Sequence, residues 1–258
     1  MLHNWQARFS LHMNILLLVF IFVIGTTNAF GHGGHRIIGR MVWIMMNKHT
    51  RNQLIKLYGT KQIFIKFSSW PDLIKADMAW RWTFKYHFIN AEDDPPVYCG
   101  LYGADTTGDN LLTGIEHFRN QPQSVESLSF LIHLLGDLHQ PLHITAKDHG
   151  GTRKMVDFMG RKVSLHLLWD TALLRHLAKG MGEEAFALSL LREHTIKNIE
   201  IDDIAASVRE WAHQTSMLNC QIVFNPNAGF DKQTAEVKRQ LFLAANRITR
   251  ILEIMLSE

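Results

Sequence analysis

The residues best placed to do chemistry are histidine and aspartate pairs set in apolar surroundings. His133 and Asp137 lie four positions apart inside the run 131–138, which is otherwise leucine, isoleucine and glycine. At helical spacing both project from one face. A histidine and an aspartate buried together need partners, because isolated buried charge is costly. Each can serve the other through a hydrogen bond, or both can bind a metal ion, and one pair alone does not choose between these. His166 and Asp170 repeat the spacing in a second apolar run, LHLLWD, and the repetition favours metal. Pro141 ends the first helix, and His143 follows where the chain can turn back toward the same cavity. Nitrogen and oxygen donors without cysteine point to zinc in an open, catalytic type of site.

Three other fragments are individually weak. Asp72 follows Trp70-Pro71, His87 sits between Tyr86 and Phe88, and the segment FGHGGH occupies positions 30–35. Its glycines allow close backbone approach, and His35 falls about one turn into the helix that follows. Each fragment alone is better explained by a loop or core residue than by a ligand. Cys99 and Cys220 belong to no CxxC pair, so a thiolate zinc site is not expected. An even cysteine count in an exported chain suggests a disulfide, with free thiols as the other reading.

Export is suggested by the start of the chain. Arg8 precedes an apolar run at 15–24, followed by small residues at Thr27 and Ala29. The run is shorter than the roughly 20 residues a membrane span needs. A signal peptide over 1–29, cleaved after Ala29 to leave Phe30 first, is therefore expected, rather than an uncleaved anchor. Its removal takes away Arg8 and no acid, so the net charge of +3 falls by one. That charge is too weak to imply nucleic-acid binding by itself. With 258 residues, 47% of them apolar and 20% charged, the composition suits one domain over 30–258.

Helical periodicity dominates the mature part. It predicts helices over Gly34 to about His49, Ser124 to Leu138, Leu165 to about Lys179, Glu183 to His194, Ile204 to Leu218 and Thr234 to Leu256. Extended structure is expected only at Phe84 to Ile89 and in a ribbon from Lys154 to Val163 around Gly160. Proline and glycine mark Asp93 to Gly114 as a long loop. The fold class is mostly α.

Taken in order, FGHGGH, SSWPDLIK, YHFIN, HLLGDLHQPLH and LHLLWD resemble the zinc-dependent single-strand nucleases and 3′-nucleotidases, the type I nucleases. Trp211-Ala212 and LAANRITRIL add weaker echoes, so the resemblance spans nearly the whole mature chain. It implies a single-domain helical fold of the phospholipase C/nuclease type around a trinuclear zinc cluster. The resemblance assigns one zinc to Asp72, His87, His133 and Asp137, and a second to His143, His166 and Asp170. It assigns a third to His35, Asp137 as a bridge, and the α-amino nitrogen and carbonyl oxygen of Phe30. It further implies Asp72 as the residue that orients the attacking water, Lys75 near phosphate, Phe88 stacking a base, and Asn90 beside that base.

The expected activity is hydrolysis of single-stranded RNA and DNA to 5′-phosphate products, with 3′-nucleotides as further substrates. A secreted or periplasmic monomer is expected, without stable membrane association after cleavage. The chain departs from the family pattern at Phe30 (usually Trp), Asn90 (often Asp) and Thr152 (Asn in a GGN motif), where Arg153 or Lys154 is a candidate replacement. His32, His139 and His149 are read as outer groups rather than ligands. A zinc phospholipase C shares the fold, but Asp170 and Phe88 favour the nuclease. A non-catalytic zinc-binding protein is disfavoured because every side-chain ligand is present.

Overall fold

The computed structural model describes residues 30–257 apart from 102, 105–107, 197 and 226. The expected signal peptide lies outside the described residues. Among the described residues, no helix is long and apolar enough to cross a membrane.

Two helices form the frame. α1 (Gly31–Met45) turns Ile37, Ile38, Met41 and Val42 inward. They pack on the 26-residue C-terminal helix, which buries Val237, Leu241, Ala244, Ile248 and Ile251 on one face. α1 stops four residues short of the expected end. Asn47 opens α2 (Lys48–Tyr58) instead, its side chain accepting from the Thr50 amide. Thr60 caps α3 (Lys61–Phe67), and Pro71 lies in the first turn of α4 (Trp70–Ile74).

Residues 84–89 are not a strand. Arg81–His87 is a 3₁₀ helix, held by the Thr83 amide and hydroxyl on the Trp80 carbonyl. Trp82 and Tyr86 pack against Phe118, so tertiary contact overrides the extended preference of the aromatic residues. Only Ile89 keeps an extended role, in an isolated bridge to Ile144. The expected loop after Asp93 ends at Asn110, which caps α5 (Leu111–Arg119) in a reciprocal box with Thr113.

α6 (Val125–Asp137) starts from an equivalent box between Ser124 and Ser127 and is buried from Ser127 onward. It passes through the middle of the molecule, against α1, α3, α4, α5, the C-terminal helix and the 3₁₀ helix. Pro141 then opens a 3₁₀ turn over Pro141–His143. The ribbon forms as expected: β1 (Met155–Phe158) pairs antiparallel with β2 (Arg161–Ser164). Its turn puts Met159 and Gly160 at φ 49° and 77°. Ser164 caps the next helical segment, which runs through α7 (Leu165–Leu167), a π turn (Leu168–Ala172) and α8 (Leu173–Leu177).

α9 (Glu183–Glu193) and α10 (Ile204–Leu218) follow the sequence reading closely, and the C-terminal helix, α11 (Phe230–Met255), starts four residues early. Cys99 and Cys220 form a disulfide between the long loop and the π turn after α10. In that turn, the Asn219 amide donates to the carbonyls of Pro141 and Ile144 at 2.9 and 3.2 Å, bracing the chain around His143.

Candidate metal centre and active-site cleft

Six elements bring the predicted residues together. α1 supplies His35, α4 Asp72, the 3₁₀ helix His87, α6 His133 and Asp137, the Pro141 turn His143, and the α7–π segment His166 and Asp170. Each of these side chains is buried. Three groups converge within metal-binding reach: Asp72, His87 and His133; His35, His133 and Asp137; and His143, His166 and Asp170. The second group joins His35 and Asp137 to His133, which the resemblance assigns to the first zinc.

The distances suit a small cation. His133 Nε2 lies 3.2 Å from His87 Nδ1, 3.5 Å from Asp137 Oδ2 and 3.6 Å from Asp72 Oδ1. Zinc bonds of about 2.0–2.1 Å place tetrahedral ligand atoms roughly 3.3 Å apart. His35 Nε2 and Asp137 Oδ1 are 3.1 Å apart, yet neither finds a hydrogen-bond partner. The same holds for buried Asp72 Oδ2, His87 Nε2, His143 Nε2 and His166 Nε2. Buried polar atoms without partners are rare, and so many in one place fit a set of bound cations. Lys75 is the cation beside Asp72, at 3.0 Å, and three buried carboxylates need more positive charge than it provides.

Backbone carbonyls fix the imidazoles. A carbonyl can only accept, so each makes the nitrogen facing it the protonated one. His133 Nδ1 faces Ser68 O at 3.0 Å, His143 Nδ1 faces His87 O at 2.6 Å, and His166 Nδ1 faces Gly150 O at 2.7 Å. In all three Nε2 is left to bind metal in the neutral imidazole.

The charges agree with this. Burial lowers the His35, His87 and His143 pKa values, His143 to about 4. Burial also opposes charge on His133 and His166, but the facing carboxylates outweigh it and raise both. Burial favours protonated Asp72 and Asp137, yet His133 prevails and holds both carboxyls below their usual range.

Glycines make room for the N-terminal segment. Phe30 is fully buried at φ 42°, and its β-carbon occupies the space a side chain at Gly34 would need. A β-carbon at Gly31 would meet Thr171 Oγ1 at 3.0 Å and the Asp170 carbonyl at 3.3 Å. Gly31 thus presses against the segment that carries Asp170.

Above the groups opens a cleft of about 370 Å³, lined by Lys75, Phe84, His87, Phe88, Asn90, His143, His149, Thr152 and His166 among others. All three expected substrate contacts, Lys75, Phe88 and Asn90, face it. Arg153 and Lys154 are not among its lining residues, which corrects their candidacy as replacements at Thr152. Lys154 Nζ sits instead 5.0 Å over the Phe224 ring.

The chain matches the family model described as S1/P1 Nuclease over residues 30–257. Nuclease P1 of Penicillium citrinum is 30% identical over 196 residues, covering 66% of this chain and 72% of that protein. The chain belongs to the S1/P1 nuclease family. It is therefore a hydrolytic phosphodiesterase. Nuclease S1 of Aspergillus oryzae is 24% identical over 233 residues, covering 81% of each chain. Endonuclease 3 of Arabidopsis thaliana is 30% identical over 189 residues, covering 66% of this chain and 62% of that one. Among solved structures, Clostridium perfringens alpha-toxin matches with a TM-score of 0.48 at 17% identity, over 90% of this chain and 65% of that one.

Several residues of this nuclease site escaped the sequence reading. Gln140 is fully buried; its amide donates to Asp170 Oδ1 at 2.6 Å, and its carbonyl accepts from the Leu142 amide at 2.6 Å. It fixes the Asp170 carboxylate while shaping the turn before His143. The one available signal was a polar side chain between two ligand histidines. Phe84 lines the cleft, and nothing in its spacing marked it; His149, read as an outer group, lines the cleft too. His139 is an outer group, as expected: its Nδ1 faces Leu135 O at 2.7 Å and its Nε2 accepts from Arg247 at 2.9 Å.

Proposed function

We propose that the protein is a secreted, zinc-dependent endonuclease that cleaves single-stranded RNA and DNA to 5′-phosphate products, and that it also removes phosphate from 3′-nucleotides. The observation that carries this reading is three converging His/Asp groups at the base of a cleft walled by Phe88.

The ligand assignment is Asp72, His87, His133 and Asp137 for one zinc, and His143, His166 and Asp170 for the second. His35, Asp137 and the amino and carbonyl groups of Phe30 hold the third. The third set requires cleavage after Ala29, and the family match beginning at residue 30 supports that boundary. When bound, zinc supplies an acidified water and positive charge against the phosphate.

The chain's own residues do the rest. Asp72 stays ionised, and its Oδ2 has no partner, so it is free to orient the attacking water through a hydrogen bond. Lys75 lies at the cleft edge beside Asp72, where it meets phosphate oxygens. Water adds to phosphorus as the bond to the 3′-oxygen breaks, leaving phosphate on the 5′-end of one fragment and a 3′-hydroxyl on the other. Phe88 stacks the neighbouring base, and Asn90 meets its edge. Stacking accepts any base but requires it to be unpaired, and contributes about 1–3 kcal/mol. The protein acts as a monomer free of the membrane.

The test is cleavage of a labelled single-stranded oligonucleotide and of its duplex by zinc-loaded protein, with end-group analysis. Rapid single-strand cleavage leaving 5′-phosphates is expected. Equal rates on the duplex, or 3′-phosphate ends, would overturn the reading.

A further inference from the structure

Phe84 is a cleft residue that the reading above leaves unused. It lines the cleft with Phe88 and is 48% exposed, a large share for a phenylalanine beside a buried cluster. In a 3₁₀ helix residues three apart eclipse one another. Arg81, Phe84 and His87 therefore form one stripe leading outward from the metal centre, ending in an exposed guanidinium. The Phe84 and Phe88 rings meet at 5.7 Å between centroids and 76° between planes. That is edge-to-face contact, so no base fits between them. Phe84 keeps an open side of its own.

We propose that Phe84 is a second nucleobase platform, taking the base of the nucleotide next along the strand from the one stacked on Phe88. The proposal rests on the stacking role of Phe88. Bases lying on two rings inclined at 76° cannot be parallel to each other. The strand must unstack between them, which a duplex cannot do while its bases stay paired. Two platforms thus select single strands by shape and reward substrates longer than one nucleotide. The exposed Arg81 lies one turn further out on the same stripe, placed to meet the backbone phosphate of the outer nucleotide.

The experiment compares Phe84→Ala, Phe84→Trp and Phe88→Ala in zinc-loaded protein. The readouts are KM and kcat on a single-stranded tetranucleotide and the Michaelis constant of a 3′-mononucleotide, which carries one base. Phe84→Ala is expected to raise KM for the tetranucleotide about five- to hundredfold with little change in kcat. It should leave the mononucleotide constant unchanged, and Phe84→Trp should keep KM near the parent value. Phe88→Ala should weaken both ligands. An unchanged KM in Phe84→Ala would overturn the second platform. Equal weakening of both ligands by Phe84→Ala would also overturn it, since Phe84 would then merely prop Phe88. Phe88→Ala binding both ligands like the parent would sink the stacking role of Phe88, and with it the reading on which the proposal stands.

Discussion

Gly136→Ala is a small change whose effect the geometry makes large. Gly136 lies in the last turn of α6, next to Asp137. A β-carbon there would come within 2.9 Å of both Cε1 and Nδ1 of His35. Ordinary carbon contacts begin at about 3.5 Å, so the imidazole must retreat by roughly 0.5 Å. It has little room: His35 is 1% exposed and stacks on His133 at 3.8 Å between centroids. Metal sites tolerate ligand shifts of about 0.2 Å. The expected outcome is loss of about one zinc per chain relative to the parent, and at least a tenfold fall in turnover. Helix propensity acts the other way, favouring alanine over glycine by up to about 1 kcal/mol, so a loss cannot come from the helix itself. Gly33→Ala is the control, because a β-carbon there meets nothing within 4 Å; it should keep its metal. Metal analysis of the two variants beside the parent decides the matter. Gly136→Ala with the parent's zinc content and activity would refute the placement of His35 at a metal.

Asp137→Ala should abolish activity and lower metal content by more than one ion, because Asp137 reaches both His35 and His87; near-normal turnover would contradict its bridging role. Gln140→Ala should cut kcat while sparing most of the bound metal, since it frees Asp170 Oδ1 without removing a ligand; parent-like kcat would count against that positioning role. Replacing Cys99 and Cys220 by serine removes a link across 121 residues and should cost about 3–5 kcal/mol in urea unfolding; an unchanged midpoint would contradict it.

Metal-free protein should lose stability as pH falls from 6.5 toward 4. Over that window the unfolded chain binds protons that buried His35, His87 and His143 resist, the last down to about 4. His133 and His166, raised instead, lose their contribution only as pH rises past their folded values. A flat urea midpoint across pH 4–6.5 would refute the assignment.

The legible parts of the sequence were those where local and long-range signals agree. α6 could be read from Ser124 to Leu138 because a capping serine, an apolar run and Pro141 all point to one segment. α10 and the ribbon at Gly160 were equally plain. The break at Asn47 was missed, although Asn47 is itself a capping residue and positions 47–53 carry no apolar residue. α5 was lost behind the proline- and glycine-rich loop, although Asn110 and Thr113 have capping-box spacing. The 3₁₀ helix at Arg81–His87 had no local signal, because packing on Phe118 decides it.

The site divides in the same way. His133/Asp137 and His166/Asp170 announce themselves by spacing on an apolar face, and His143 by its place after Pro141. His35, Asp72 and His87 were legible only through resemblance, since no local pattern distinguishes them from core or loop residues. Gln140 and Gly136 act through partners distant in sequence. Gln140 meets Asp170, and Gly136 makes room for His35, so only the folded chain reveals what they do.

The most direct test of the central claim is the zinc content of protein exported from cells and shown by mass to begin at Phe30. Close to three zincs per chain is the predicted result. Two or fewer on a chain that begins at Phe30 would contradict the three-metal centre, because every proposed ligand, including the freed amino group, would then be present without holding the third ion.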